Sequence, residues 1–161
     1  MAQAPFSISA EASDSPDSLR LIVALDDLLN GLYVIENNFL EVSADEFEAG
    51  HGTFLVAREA GIAVGCGGVR LISPEVAEVK RMFVVPATRR RGIAALILAA
   101  LEEWAVQAGA DKVVLETGFR QPTAMRLYER VGYVEVPGLG PYAESGQSRC
   151  YEKVFGDLRL Y

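Results

Sequence analysis

Apolar and polar residues alternate with two different periods along this chain, and each period predicts one kind of element. Alternation at every second residue, together with short apolar runs, predicts seven strands, at 6–11, 53–58, 62–71, 77–85, 112–117, 133–136 and 148–154. Spacings of three and four residues predict four helices, at 16–31, from about 43, at 91–108 and at 122–131. This order predicts an α/β protein with a mixed sheet and helices on both faces.

Residues that favour turns and caps refine this pattern. Ser15 before Pro16 is typical of a helix N-terminus, because serine caps free N–H groups and proline suits the first helical turn. Gly65, Gly67 and Gly68 lie inside a predicted strand. Because glycine weakens a strand, these three residues predict a bulge or a close approach of another backbone.

The segment before the long helix carries the most specific chemical signal. It reads Arg89-Arg90-Arg91-Gly92-Ile93-Ala94. Gly92 has no Cβ and lets a ligand approach the backbone, while the helix directs free N–H groups and its positive dipole end towards an anion. The arginines add charge-assisted donors. The segment therefore predicts a pyrophosphate site, which suits a ligand with a diphosphate and a long arm, such as a coenzyme A thioester.

Composition limits the class of protein. The chain has 161 residues, of which 50% are hydrophobic and 23% charged, and this suits a single globular domain over 1–161. The sequence shows neither an apolar run of membrane-spanning length nor a secretion signal, so we expect a cytoplasmic protein with no membrane partner. The net charge of −7 argues against a nucleic-acid partner.

Cysteine and histidine give no sign of a metal site. Cys66 and Cys150 lack the spacing of zinc ligands, and each lies in an apolar, strand-like context, so we expect buried free thiols. His51 stands alone between two glycines and is interpreted as a loop residue. We therefore expect no metal cofactor.

Three segments, in order, resemble the GNAT superfamily of acetyl-CoA-dependent N-acetyltransferases, and a small bacterial subgroup in particular. The loop at 89–94 is similar to the family pattern (Gln/Arg)-x-x-Gly-x-(Gly/Ala), and the strand at 77–84 precedes it as in the family. The segment Gln121-Pro-Thr-Ala-Met-Arg-Leu-Tyr-Glu-Arg-Val-Gly-Tyr133 resembles Asn-x-x-Ala-x-x-Leu-Tyr-x-x-x-Gly-Phe, with Gln121 where the family often has Asn. The resemblance covers about residues 54–153.

The resemblance implies a fold, a co-substrate and a set of binding residues. The fold is a mixed, mostly antiparallel central sheet of about seven strands flanked by about four helices. The implied co-substrate is acetyl-CoA, and its pantetheine arm lies along a strand that splays from its neighbour. The implied acceptor of the acetyl group is a primary amine of a small molecule or peptide. Members of the family often dimerise, so the resemblance leaves open whether this chain forms a homodimer. The implied binding residues are Met82, Phe83, Val84, Arg89, Arg90, Arg91, Gly92, Ile93, Ala94, Gln121, Ala124 and Tyr128.

Two side chains are the candidates for proton transfer. Glu78 stands where a histone-acetylating branch of the family has its catalytic glutamate, and a carboxylate can take the proton of an amine that is otherwise charged near neutral pH. Glu116 is the rival base, and pairing of Glu78 with Lys80 or Arg81 is the structural alternative. Tyr128 resembles the family tyrosine near the thioester sulfur and is the candidate general acid, the alternative being core packing.

Two other functions stay open at this stage. A nucleotide-binding phosphate loop could use the basic segment, although no Gly-Lys-Ser/Thr follows it. A non-catalytic acyl-CoA-binding module would have the same binding residues without the chemistry. The segments at 33–52 and 137–146, including Tyr142, are expected to border the acceptor, but their sequence does not identify it.

Overall fold

The computed structural model describes residues 6–32, 47–118, 121–137 and 148–155, which contain one seven-stranded sheet. The order of the strands across the sheet is β1-β2-β3-β4-β5-β7-β6. All neighbours are antiparallel except β4 and β5, which are parallel because α2 connects them. The strands are β1 (Phe6–Ala10), β2 (Gly52–Glu59), β3 (Ile62–Ser73), β4 (Val76–Val84), β5 (Lys112–Gly118), β6 (Val134–Val136) and β7 (Ser148–Val154).

Three α-helices lie in the described residues, on both faces of the sheet as predicted. They are α1 (Pro16–Leu32), α2 (Ile93–Gln107) and α3 (Pro122–Arg130). The expected number was about four, and the helix predicted from about residue 43 falls outside the described ranges. The N-terminus of α1 is capped as predicted, because the Ser15 hydroxyl oxygen accepts the Ser18 N–H at 3.2 Å.

Two apolar clusters cover opposite faces of the sheet. The cluster between the sheet and α2 contains Ile97, Leu98 and Leu101, and it extends to Tyr128 of α3. The cluster on the other face contains Leu21, Ile22 and Leu25 of α1. The sheet is therefore buried on both sides at its centre, and the clusters fix α1 against one face and α2 and α3 against the other.

A bulge in β4 separates its two halves. Arg81 has a φ of 63°, in the left-handed region, and the register with β3 moves there from Gly68↔Lys80 to Cys66↔Phe83. Two residues of β4 thus oppose one residue of β3, which is the defining feature of a bulge.

The bulge changes which residues of β4 face α2. Before it, Ala77 and Val79 contribute to the cluster under α2, whereas after it Met82 and Val84 contribute to that cluster. The residues that face α2 are odd-numbered before the bulge and even-numbered after it, because the extra residue shifts the alternation of side chains by one position.

Strands β4 and β5 pair along only part of their length. Their register runs from Val76↔Lys112 to Val79↔Leu115 and does not extend to Met82–Val84. The pairing of β4 with β3 continues to Gly65↔Val84. The second half of β4 therefore keeps one neighbour and presents its other edge to a gap, as the family resemblance implied.

The glycines of β3 lie at a bulge, as the sequence predicts, and they also allow close contacts with side chains on both faces. A Cβ on Gly65 would lie 3.1 Å from Ile97 Cδ1, and one on Gly67 would lie 3.0 Å from Leu101 Cδ1, so both glycines let α2 approach the sheet. A Cβ on Gly68 would meet the Phe47 ring on the opposite face, with Cζ at 2.6 Å. These three positions therefore need glycine, because α2 packs closely on one face of the strand and Phe47 on the other.

Replacing Gly68 with Ala should destabilise the fold by about 1–3 kcal/mol, because the new methyl group overlaps the buried Phe47 ring, which must move to make room for it. Urea unfolding followed by circular dichroism measures this difference. Gly31→Ala is the matched control, since a Cβ there meets nothing within 4 Å, and it should leave stability unchanged or raise it by up to about 1 kcal/mol. Equal stability of the two variants would contradict the packing argument.

Candidate functional site

A cavity of about 620 Å³ lies where the second half of β4, the start of α2 and the helix α3 meet. Eleven of the twelve residues predicted to bind the cofactor line it, the exception being Arg91. Residues that the sequence analysis missed also line it, including Leu25 and Leu28 of α1 and Arg126 and Arg130 of α3. The cavity thus joins the predicted anion loop to the free edge of β4.

The anion end of the cavity is formed by the start of α2. Gly92 has a φ of 81°, a conformation that side chains rarely adopt, and a Cβ there would point into open space. Ile93, Ala94 and Ala95 follow in the first helical turn and line the cavity. The first N–H groups of a helix have no partner within it, so this turn presents donors and the positive dipole end to the cavity.

The three arginines of the loop have different environments. The Nε–H of Arg89 donates to the Val84 carbonyl oxygen at 3.0 Å, which fixes this side chain at the cavity wall. Arg90 also lines the cavity. The Arg91 guanidinium instead forms two hydrogen bonds of 2.9 Å with the Glu59 carboxylate.

Two further cations reach the cavity from α3. Arg126 and Arg130 are exposed, and both line the cavity. Their spacing of four residues puts them on one face of the helix, one turn apart, while Tyr128 of the same helix is buried. This spacing was the signal that could have identified them from the sequence.

Beyond Val79, the edge of β4 that faces the gap does not pair with β5, and the Val84 carbonyl oxygen there accepts the Arg89 Nε–H. Val85 N–H donates to the Val64 carbonyl oxygen of β3 at 2.8 Å. Because N–H groups alternate in direction along a strand, those of Met82 and Val84 point away from β3, towards the gap. A chain with amide groups could therefore pair with this edge as an added strand.

Glu78 and Glu116 lie on the face of the sheet opposite α2, and both are half-buried. Glu78 pairs with Arg70, whose Nε and Nη2 each lie 3.0 Å from Oε1, and not with the Lys80 or Arg81 expected as structural partners. Arg81 pairs with Asp26 at 3.3 Å. The carboxylate of Glu78 is therefore held by a neighbouring strand.

The carboxyl group of Glu116 has an altered acidity. Burial raises its pKa above the ordinary value, and the negative charge of Glu78 raises it further. A hydrogen bond with Cys150 and the positive charge of Lys80 act in the opposite direction. Glu116 consequently holds a proton more strongly than an exposed glutamate does.

Tyr128 is both a core residue and a cavity residue. It is only 6% exposed and packs against Tyr133, with 5.9 Å between ring centroids. Its side chain nevertheless contributes to the cavity wall. Burial raises the pKa of Tyr128 to about 12, so the hydroxyl keeps its proton throughout the neutral range.

The cysteines are free and buried, as predicted. Burial raises the pKa of the Cys66 thiol to about 12, so it is not a reactive thiolate. His51 is exposed in the turn just before β2 and does not line the cavity. Tyr142 lies outside the described residues.

Among residues that the structure describes, no group of three or more histidine, cysteine or acidic side chains could hold a metal ion. In the same part of the chain, no helix is long and apolar enough to cross a membrane.

The split between β4 and β5 and the N-terminus of α2 meet at one cavity, an arrangement that suits an extended ligand with an anionic group. The model of the acetyltransferase (GNAT) family matches residues 22–133. The chain belongs to this family, as the resemblance of its motifs implied.

Individual relatives agree with this assignment. The chain is 37% identical to an IAA acetyltransferase of Azospirillum brasilense over 136 residues, which cover 84% of this chain and 88% of that protein. A crystal structure described as an acyl-CoA N-acyltransferase of Klebsiella pneumoniae is 30% identical with a TM-score of 0.80, covering 94% of this chain and 99% of that one. An acetyltransferase of Salmonella typhimurium, solved with acetyl-CoA, shares the fold at 16% identity and a TM-score of 0.69, with 94% of each chain covered.

Proposed function

We propose that this protein transfers an acetyl group from acetyl-CoA to a primary amine of a small molecule or peptide, by direct attack in a ternary complex. The observation that carries the proposal is the single cavity that connects the N-terminus of α2 with the gap-facing edge of β4. A diphosphate and a pantetheine arm need these two features at one site. Membership of the acetyltransferase family, and the acetyl-CoA bound to the Salmonella structure, support the choice of co-substrate.

The cavity offers groups suited to the phosphates and the pantetheine arm of the co-substrate. The first turn of α2 and Arg89 offer donors to the pyrophosphate, with Gly92 leaving space for its oxygens. The pantetheine amides pair with the edge of β4 between Met82 and Val84. Arg90, Arg126 and Arg130 line the same cavity and add positive charge for the remaining phosphate of coenzyme A.

The chemistry requires a base for the amine, a donor for the carbonyl oxygen and a proton for the leaving thiolate. The N–H of Met82 is the proposed donor to the thioester oxygen. Tyr128 is the proposed acid, because its hydroxyl stays protonated at neutral pH and the residue is part of the cavity wall. Glu78 and Glu116, on the face of the sheet opposite α2, are the two candidate bases.

Direct attack is favoured over a covalent acyl-enzyme. A covalent route needs a nucleophile such as a thiolate at the thioester. Cys66 is buried, keeps its proton at neutral pH, and does not line the cavity. Among the described residues, Cys150 is the other cysteine, and it too is buried and absent from the cavity wall.

A panel of amines tests the proposal. A mixture of purified protein, acetyl-CoA and an acceptor amine should release the thiol of coenzyme A. The amine should gain about 42 mass units, because an acetyl group replaces one of its hydrogens. Thiol release is followed with a chromogenic disulfide and the product by mass spectrometry. Tight acetyl-CoA binding with no acetylated amine would instead support a non-catalytic acyl-CoA-binding module.

Arg89→Ala should weaken acetyl-CoA binding by at least about tenfold, since it removes a charge-assisted donor from the cavity wall. Arg91→Ala is the matched control, because its guanidinium is held by Glu59 and not by the cavity, and it should change the affinity by less than about twofold. Isothermal calorimetry measures both. Equal weakening by the two variants would contradict this division between the arginines.

Tyr128→Phe should lower kcat by at least about tenfold while changing acetyl-CoA affinity by less than about twofold, because it removes the proton donor and keeps the ring. Tyr151→Phe is the control, since Tyr151 belongs to the same aromatic cluster but does not line the cavity. Steady-state kinetics and calorimetry give the two quantities. A folded Tyr128→Phe protein with unchanged kcat would show that the residue serves packing alone.

A further inference from the structure

We propose that Lys80 binds a carboxylate of the acceptor, and that the acceptor is a free amino acid, in which one or two carbon atoms join the amine to the carboxylate. The inference rests on the proposed function, because it narrows the acceptor of that reaction. It separates free amino acids from peptides, since the N-terminal amine of a peptide has an uncharged peptide group in place of the nearby carboxylate.

The first argument is the position of Lys80 at the opening of the gap between β4 and β5. The last paired residues are Val79↔Leu115, so Lys80 and Glu116 are the next residues of the two strands. Val79 and Leu115 both belong to the cluster under α2. Because side chains alternate along a strand, Lys80 and Glu116 lie together on the opposite face. A cation and an anion therefore flank the place where the parallel strands separate.

The second argument is the short distance from Lys80 to the proposed reaction centre. The Met82 N–H is the proposed donor to the thioester oxygen, and Arg81 is the residue between Lys80 and Met82. A strand rises by about 3.3 Å per residue, so roughly 7 Å separates the backbones of Lys80 and Met82. The lysine ammonium, on its flexible four-carbon stem, can therefore reach a carboxylate that is one or two carbons from the reacting nitrogen.

The third argument is the arrangement of charges on this face. Arg70 and Glu78 neutralise each other, since Nε and Nη2 of Arg70 both lie 3.0 Å from Glu78 Oε1. Lys80 and Glu116 are close enough to interact. Burial and the charge of Glu78 raise the pKa of Glu116, and the positive charge of Lys80 acts against this rise. The opening of the gap thus offers one positive and one negative group to a ligand.

An amino acid matches these two charges better than a simple amine does. A free amine carries a proton near neutral pH, so an acceptor that enters the opening brings a positive charge close to Lys80. Lys80 repels an amine that has no anionic group, whereas a carboxylate beside the amine turns this repulsion into attraction. Lys80 and Glu116 are both half-buried, and a ligand with both charges leaves neither of them without a counter-charge on binding.

The test compares kcat/KM for matched acceptors. The amine panel first identifies the best amino acid, and its amide and its decarboxylated amine then serve as acceptors with the same side chain. Wild type should prefer the amino acid to either analogue by at least about tenfold, because only the amino acid offers a carboxylate to Lys80. The amide also represents the N-terminus of a peptide, so the same comparison decides between the two classes of acceptor.

Three variants assign this preference to Lys80. Lys80→Met removes the charge and keeps a flexible apolar stem, and the preference should fall to within about threefold. Lys80→Arg keeps the charge and should retain a preference of more than about threefold. Lys112→Met is the matched control and should keep the wild-type preference, since Lys112 lies on the same face at the far end of the paired segment and pairs with Glu152 at 3.3 Å.

The preference is a ratio, so it cancels any effect of Lys80 that is common to all acceptors, including its effect on the acidity of Glu116. Binding gives a second reading that does not depend on turnover. In calorimetry with coenzyme A present, the N-acetyl amino acid should bind wild type at least about tenfold more tightly than Lys80→Met, whereas its uncharged amide should show less than about threefold difference.

The possible outcomes separate this inference from the function on which it rests. Equal use of the amino acid and its amide by wild type would overturn the inference and leave acetyl transfer intact. Acetylation of other amines but of no amino acid, or a folded Lys80→Met protein that keeps the full preference, would do the same. Absence of acetylation of every amine would overturn the proposed function and the inference together.

Discussion

The departure of β4 from β5 after Val79 is the constraint on which the rest of the site depends. In a continuous sheet, the backbone groups of Met82 and Val84 would pair with β5 and could bind nothing else. The bulge at Arg81 shifts the alternation of β4 and coincides with the loss of pairing. The strand consequently keeps its hydrogen bonds to β3 while its other edge stays available to a ligand.

Close packing on both faces of β3 fixes the position of the helices against this open sheet. Gly65 and Gly67 let Ile97 and Leu101 of α2 approach the strand on one face, and Gly68 receives the Phe47 ring on the other. The apolar clusters on the two faces join α1 and α2 to the same strands that carry the site. A helix N-terminus can bind an anion precisely only if the helix is fixed in this way, because the geometry of its donors depends on its packing.

Charge is divided between the two sides of the site although the chain as a whole carries −7. The cavity is lined by arginines from the loop and from α3, whereas the opposite face of the sheet holds the half-buried carboxylates Glu78 and Glu116. Arg70 and Lys80 accompany these carboxylates, so the charge of that face is mixed, whereas the charged side chains that line the cavity are all arginines.

Local sequence determined most of the elements and the anion loop. Strand 148–154 was predicted at its observed bounds, and the cap at Ser15, the left-handed Gly92 and the buried thiols follow from residues close in the chain. Only the tertiary structure decided the partners of the charged side chains. Glu59 binds Arg91 across 32 residues, Arg70 binds Glu78, and Leu25 and Leu28 of α1 reach the cavity. The physical reason is that hydrophobic periods and caps act within a few residues, whereas an ion pair or a cavity wall depends on which distant surfaces the packed core brings together.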